Sequence, residues 1–254
     1  MEKFEHEGKE YWEKFGKISE LLPRHYFDFI DKEKYEKLFE RRDLKNKKVI
    51  DLGAGYPPPP KESPEKRFSP LASELQEVLK NKGAEIIALD AALDPLRRQK
   101  ESGKEAIAGN VFELPLKNES IDGGAIILNL FNSSFKSESG KEVFITLEEC
   151  KKILQEVNRI LQKDAFVMIN NYGYIIAKMD NIMQFIGPDE NEIITMDSLR
   201  DIAKEAGLSK INEIPVDEKR LELSKKIIIE SFSEILRGRI NIDFSGSGAL
   251  MIEK

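Results

Sequence analysis

Short, mostly apolar runs recur along this chain, separated by segments whose apolar residues fall at helical spacing. The intervening segments predict helices, of which the best marked begins with the capping box Thr146-Leu147-Glu148-Glu149. The apolar runs predict β-strands at residues 48–52, 85–90, 105–108, 125–130, 166–170, 210–216 and 248–253. Because strands that alternate with helices usually form a parallel sheet, the pattern indicates an α/β fold.

Residues 1–45 carry aromatic and aliphatic residues at helical spacing and predict two or three helices, with Pro23 ending the first. These helices form either a cap or simple packing against the rest of the protein. Residues 56–68, which include Pro57 to Pro60, cannot form the interior of a helix and predict an inserted loop. With no repeats and no second unit in the pattern, residues 1–254 form one domain: a helical cap at 1–45 and a core at 46–254.

The first strand ends in the segment Asp51-Leu52-Gly53-Ala54-Gly55, which predicts a nucleotide-binding turn. Glycine at such a turn lets backbone N–H groups approach a ligand and allows φ angles that a side chain disfavours. A dinucleotide-binding turn needs a third glycine and an acidic residue about 20 positions further on. Pro57 follows instead, and the next strand-terminal acid, Asp90, lies well beyond that spacing. The pattern therefore argues against NAD.

The acidic residue before the two glycines, the strand that ends at Asp90 and the run 109–116 together resemble the class I S-adenosylmethionine-dependent methyltransferases. Residues 120–128 resemble the fourth strand of that family, and 147–164 resemble the helix and turn before its fifth. The resemblance covers roughly residues 45 to 210. It implies a Rossmann-like three-layer sandwich with a mostly parallel seven-stranded sheet, in which the last strand, 248–253, is an antiparallel edge strand.

The resemblance also implies S-adenosyl-L-methionine as the cofactor, held at the carboxyl ends of four strands. The implied cofactor-binding residues are Asp51, Gly53, Ala54, Gly55, Tyr56, Asp90, Ala91, Asn110, Val111 and Asn129. Asp90 would accept hydrogen bonds from both ribose hydroxyls, a role that suits a carboxylate. Asn110 stands where the family often has an acid that accepts from the adenine amino group, and Val111 would offer its backbone N–H. Pro57, in place of the usual third glycine, departs from the family pattern.

Methyl transfer from a sulfonium is an in-line displacement, so a base is needed only where the acceptor must lose a proton. His25 is the candidate for this catalytic role, since histidine titrates near neutral pH. A histidine on a helix surface or in the core is the alternative interpretation. The aromatic residues of 1–45 and the apolar residues between Met179 and Ile186 favour a hydrophobic small-molecule acceptor.

The composition argues against nucleic-acid-binding, metal-binding and membrane-spanning classes of protein. A formal charge of −6 and a pI of about 5.3 make a nucleic-acid partner unexpected, because phosphate binding relies on clustered Lys and Arg. One cysteine, Cys150, and two histidines leave little for a metal site, and none is predicted. Cys150 falls on the apolar stripe of its helix, which predicts a buried thiol. The sequence shows no membrane-spanning run, and we expect a cytoplasmic protein.

Two further hypotheses stay open. The chain could be a non-catalytic, methyltransferase-like binding or regulatory protein, which the proline-rich loop and Asn110 favour. It could also be an RNA or protein methyltransferase. The sequence does not predict the oligomeric state.

Overall fold

The structure is a computed structural model that describes residues 30, 32–55, 73–128, 130–131, 134–136, 142–171, 175–179, 182–186, 194–219, 221–222, 226, 240–242 and 248–254. The helices whose bounds lie within these residues are α1 (Lys32–Phe39), α2 (Ser73–Asn81), α3 (Leu93–Glu101), α4 (Leu147–Ile160) and α5 (Met196–Glu205). The strands of this described part are β1 (Lys48–Leu52), β2 (Glu85–Asp90), β3 (Glu105–Ala108), β4 (Gly124–Leu128), β5 (Ser134–Lys136), β6 (Glu142–Phe144), β7 (Phe166–Asn171), β8 (Ile175–Met179), β9 (Ile182–Ile186), β10 (Lys210–Ile214), β11 (Ile240–Ile242) and β12 (Gly248–Glu253).

Seven of the described strands form one sheet in the order β10-β12-β7-β4-β1-β2-β3. The pairs β1–β2, β2–β3, β1–β4 and β4–β7 are parallel, whereas β12 runs antiparallel to both of its neighbours. The predicted sheet, mostly parallel with an antiparallel last strand, is confirmed.

Helices cover both faces of this sheet. On one face α4 and α5 bury an apolar core that includes Val157 and Leu199 against β1, β4 and β7. On the other face α1 and α2 bury Phe39 and Leu79 against the same sheet, and α3 packs there through Leu96. The result is a three-layer sandwich, as predicted. The capping box at Thr146 and Glu149 is also confirmed, with each residue bonding the other's backbone N–H.

The position of the last strand corrects one prediction. β12 lies between β7 and β10 and hydrogen-bonds to both, so it is an interior strand rather than an edge strand. Its continuous run Ala249-Leu250-Met251-Ile252 is buried on both faces, which is the pattern of an interior strand. β10 takes the edge, and most of its residues are at least partly exposed.

The described part of the N-terminal segment packs into a helical layer. In α1, Tyr35 and Phe39 are fully buried, and the Phe39 ring meets Phe166 edge to face with 5.0 Å between ring centroids. Residues 1–45 were expected either to form a cap or to pack against the rest of the protein, and residues 32–39 pack. The predicted loop at 56–68 lies outside the described residues.

The sequence did not predict two small sheets, formed by β5 with β6 and by β8 with β9 and β11. Their strands are only three to five residues long, and β11 pairs with a strand far away in the chain. Among the described residues no helix is both long and apolar enough to cross a membrane.

Candidate functional site

The candidate site lies at the carboxyl edge of the parallel strands. β1 sits between β2 and β4, so the strand order reverses beside it. In open α/β sheets a ligand binds beyond the strand ends at such a switch point. The register places Leu52 beside Leu89 and Ile127, so the segments that follow β1, β2 and β4 leave the sheet at one level. The structure thus brings the turn at 53–55 and Asp90 together.

The turn after β1 depends on its two glycines. Gly53 and Gly55 have φ angles of 62° and 55°, in the left-handed region that favours glycine. The Ala54 N–H donates to the Leu89 carbonyl at 2.9 Å, which ties the turn to the neighbouring strand. Ala54 itself is buried against Ala88 and Leu96. The turn is therefore held close to β2, and its three residues carry no bulky side chain.

Asp90, at the end of β2, connects this turn with the next one. Its Oδ2 accepts from the Gly55 N–H at 2.8 Å and its Oδ1 from the Ala92 N–H at 2.9 Å. A carboxylate offers about four lone-pair sites, so these two bonds leave acceptor capacity on the half-buried group. Asp90 can order the turn and still accept hydrogen bonds from a ligand. Ala91, the next residue, is exposed at the same strand end.

Asp51 is buried beneath the turn rather than beside it. The side chain is only 2% exposed, and its Oδ2 accepts from the Gln76 amide of α2 at 3.0 Å. Through this contact Asp51 joins the end of β1 to α2, and its role as a cofactor-binding residue stays a proposal.

Asn110 opens the loop after β3 with a local turn. Its side-chain oxygen accepts from the Phe112 N–H at 3.0 Å, so the expected adenine acceptor also serves the protein's own backbone. Val111 is half-buried and packs against the core under α4.

A charged pair on α4 holds the rest of that loop. Arg159 donates to the carbonyls of Leu116 and Leu114 at 2.8 and 3.0 Å. Glu156 accepts from the Leu114 N–H at 2.8 Å and pairs with the guanidinium at the same distance. The hydrogen bonds that Arg159 donates to Glu156 lower the pKa of the Glu156 carboxyl and raise the pKa of the Arg159 guanidinium. Both groups therefore remain charged at neutral pH.

Several expected site residues fall outside the described residues. These are Tyr56, Asn129 and His25. Leu130, which is described, contacts the site, since a Cβ on Gly53 would lie 3.1 Å from its Cδ1. Cys150 is fully buried, as predicted, and this burial raises the pKa of its thiol far above the usual range.

Three polar residues near the turn had no signal that we read in the sequence. Gln76 of α2, Gln99 of α3 and Lys104 before β3 are all buried and form hydrogen bonds with one another or with the turn. Gln76 and Gln99 stand among the apolar positions of their helices, so a polar residue at core spacing could have marked these two.

No protein-family model matches the sequence, and no curated protein is similar to it. Among solved structures, the PH0226 protein from Pyrococcus horikoshii is 15% identical, with a TM-score of 0.54, over 93% of this chain and 98% of that one. A protein provisionally named an O-methyltransferase from Nostoc punctiforme is 14% identical, with a TM-score of 0.52. The match covers 96% of this chain and 60% of the Nostoc protein.

A SAM-dependent methyltransferase from Archaeoglobus fulgidus is 13% identical, with a TM-score of 0.47, over 88% of this chain and 95% of that chain. At this TM-score the likeness supports no conclusion. The two better matches, together with the order and direction of the strands, establish the architecture. The chain therefore has a Rossmann-like α/β fold, which it shares with these two proteins.

Proposed function

We propose that this protein is an S-adenosyl-L-methionine-dependent methyltransferase that acts on a small molecule. The observation that carries the proposal is the contact between the Gly53–Gly55 turn and Asp90. The turn's N–H donates to Asp90 Oδ2 at 2.8 Å, at the switch point of the sheet. In this unit a ligand can approach the backbone of the turn closely, and the neighbouring carboxylate can accept further hydrogen bonds. A nucleoside with two ribose hydroxyls needs both features.

The residues present fit such a cofactor. The two left-handed glycines of the turn carry no side chain, and a Cβ at Gly53 would press on Leu130. In the proposal Gly53, Ala54 and Gly55 lie along the methionine and ribose portions, and Asp90 and Ala91 meet the ribose. Asn110 and Val111 border the adenine, with Tyr56 and Asn129 as further proposed contacts.

When bound, S-adenosylmethionine would supply a methyl group carried on a positively charged sulfur. The acceptor atom would form the new bond to this methyl group, and the sulfur would keep the electron pair of the broken S–C bond. The protein's part is to hold the acceptor in line and to exclude water. Where the acceptor atom carries a proton, a base must take it, and His25 remains our proposed base.

A hydrophobic acceptor is the substrate class we favour. Strands β8 and β9 come after β7 in the sequence and pair antiparallel, with Met179 opposite Ile182. Their residues are mostly apolar. We place the protein in the cytoplasm, acting without a membrane or nucleic-acid partner. An RNA or protein acceptor is the alternative, and so is a binding or regulatory protein with this fold.

Calorimetric titration with S-adenosylmethionine and S-adenosylhomocysteine tests the proposal directly. We expect the wild type to bind both and Asp90→Ala to bind about 100-fold or more weakly, because a charged acceptor of two hydrogen bonds is lost. Asp90→Asn keeps the shape and removes the charge, so it should show most of the same loss. Asp201→Ala, at an exposed position on α5, is the matched control and should bind like the wild type.

No binding by the wild type at millimolar cofactor would overturn the proposal. Binding without turnover on any hydrophobic acceptor would favour the non-catalytic alternative instead. Thermal melts of each variant separate lost binding from lost folding.

A further inference from the structure

Lys104 is a buried lysine for which the proposed chemistry has no use. It precedes β3, is only 9% exposed, and lies between α2 and α3. Its Nζ donates to the side-chain oxygens of Gln76 and Gln99, at 2.8 Å in each case. Lysines are rarely buried unless their charge has partners. The oxygens of Gln76 and Gln99 give this buried ammonium group such partners.

The ammonium group sets the direction of both glutamine amides. Lysine has three donors and no acceptor, so the groups that face it must be oxygens. The amide nitrogens of Gln76 and Gln99 consequently point away from Lys104. Gln76 Nε2 donates to Asp51 Oδ2 at 3.0 Å. Gln99 Nε2 donates to the carbonyls of Ala54 and Gly55, at 3.3 and 2.8 Å.

The turn is thus held by its N–H groups and by its carbonyls. Leu89 and Asp90 accept from the N–H groups of Ala54 and Gly55, while Gln99 donates to the carbonyls of the same two residues. Pro57 to Pro60 follow in the sequence and have no N–H to contribute. Neighbouring elements support the turn, and the Gln99 amide is one of these supports.

We propose that Lys104 is a positioning residue that, through Gln99, holds the Gly53–Gly55 turn in the conformation a ligand requires. The chain Asp51–Gln76–Lys104–Gln99 runs from a buried carboxylate to the turn carbonyls, and each of its hydrogen bonds joins a donor to an oxygen acceptor. Asp51 and Lys104 bring opposite charges to the two ends of Gln76. If the amide of Gln76 or Gln99 were flipped, its NH₂ group would face the Lys104 ammonium group, and two donors would meet.

The link to ligand affinity rests on the proposed function, whereas the effect on the turn does not. A turn ordered before binding spares the ligand the cost of ordering it. Loss of this support should therefore weaken cofactor binding and leave the chemistry of the bound complex unchanged, so KM for the cofactor should rise while kcat stays near the wild-type value.

Gln99→Glu and Lys104→Met test the proposal in two different ways. Gln99→Glu keeps an oxygen for Lys104 but turns a second oxygen toward the turn carbonyls, so that the donor is lost while the buried lysine keeps its partner. Lys104→Met removes the donors with little change in side-chain length. Lys100→Met, at an exposed position on α3, is the matched control.

The measurement is amide hydrogen exchange of Ala54 and Gly55 without ligand, compared with core amides of β4. We expect exchange at the turn to become about tenfold faster in both variants, and more so than in β4. The control should match the wild type. Equal acceleration of exchange at the turn and in β4 would mean that Lys104 only stabilises the whole fold, and it would overturn the proposal. Unchanged exchange at the turn would overturn it as well.

Binding of S-adenosylhomocysteine provides the second readout. If the wild type binds it, Gln99→Glu should bind about tenfold more weakly. If the wild type does not bind it, the proposed function fails, and amide exchange still decides whether Lys104 positions the turn. Should Lys104→Met fail to fold, Gln99→Glu still tests the proposal, because exchange at the turn equal to that of the wild type would overturn it.

Discussion

Gly53 meets two constraints at once, one from its backbone and one from its neighbour. Its φ of 62° lies in the left-handed region, where a Cβ is disfavoured. A Cβ built there would also lie 3.1 Å from Leu130 Cδ1, which is closer than ordinary van der Waals contact. Any larger residue must therefore strain the turn and displace Leu130.

Gly53→Ala should lower the free energy of unfolding by about 2–3 kcal/mol, from left-handed strain and from overpacking against Leu130. Gly103→Ala is the control, because Gly103 also has a positive φ, 82°, but nothing lies within 4 Å of the position that a Cβ would take there. It should cost about 1–2 kcal/mol from strain alone. Urea unfolding measures both. Equal costs for the two variants would mean that the contact with Leu130 adds nothing.

At the scale of elements, α4 supports the site from a distance. Glu156 and Arg159 lie one turn apart on this helix and hold both the N–H and the carbonyl of Leu114, in the loop that begins at Asn110. Glu156 pairs with Arg159 and is only partly exposed, so the pair is better shielded than a surface ion pair. The loop after β3 thus takes its shape from a helix rather than from its own residues.

This arrangement predicts a pH dependence. Because the pKa of Glu156 is lower in the folded protein than its ordinary value of 4.5, its stabilisation is complete above that value and is lost as the pH falls through the lower, folded pKa. Glu156→Gln should cost about 1–2 kcal/mol at pH 7, and its difference from the wild type should shrink in acid.

Chemical unfolding of wild type and Glu156→Gln at pH 7 and pH 3 measures this difference. Glu148→Gln, at an exposed position on the same helix, is the control and should change little at either pH. A Glu156→Gln effect of the same size at both values would contradict the argument from the pKa.

At the scale of the whole molecule, the described part of the N-terminal segment belongs to the main body. α1 buries Phe39 against Phe166 of β7, and Arg42 lies 5.7 Å above the centroid of the same ring. In addition, the Asn170 amide of β7 donates to the Tyr35 hydroxyl at 3.2 Å. These contacts join residues far apart in the chain and support our proposal of one domain.

The charge of the whole chain supports a prediction about its partners. With a net charge of −6, we expect no retention on heparin at about 0.1 M salt, since phosphate-like polymers bind through clustered cations. Elution from a heparin column over a salt gradient measures this. Retention that falls with salt would favour the RNA methyltransferase alternative over a small-molecule acceptor.

Much of the fold could be predicted because apolar runs and helical stripes are local signals. β1, β2 and β3 fall where the sequence predicts them. β12 was placed correctly along the chain and wrongly within the sheet, because neighbours in a sheet are chosen by packing between distant segments. The strands β5, β6, β8, β9 and β11 lie outside the seven-stranded sheet and were missed. β11 pairs with β8 far away in the chain, and no local pattern records such a pairing.

The sequence by itself determined the α/β class, the glycine turn and the strand-terminal Asp90, since turn chemistry and periodicity depend on neighbouring residues. Only the tertiary structure decided that Asp51 faces Gln76, and that Lys104 and Gln99 reach the turn carbonyls. A buried polar group is stable only with partners, and here the partners come from different elements. No local pattern records which distant donor meets which acceptor, because folding brings them together.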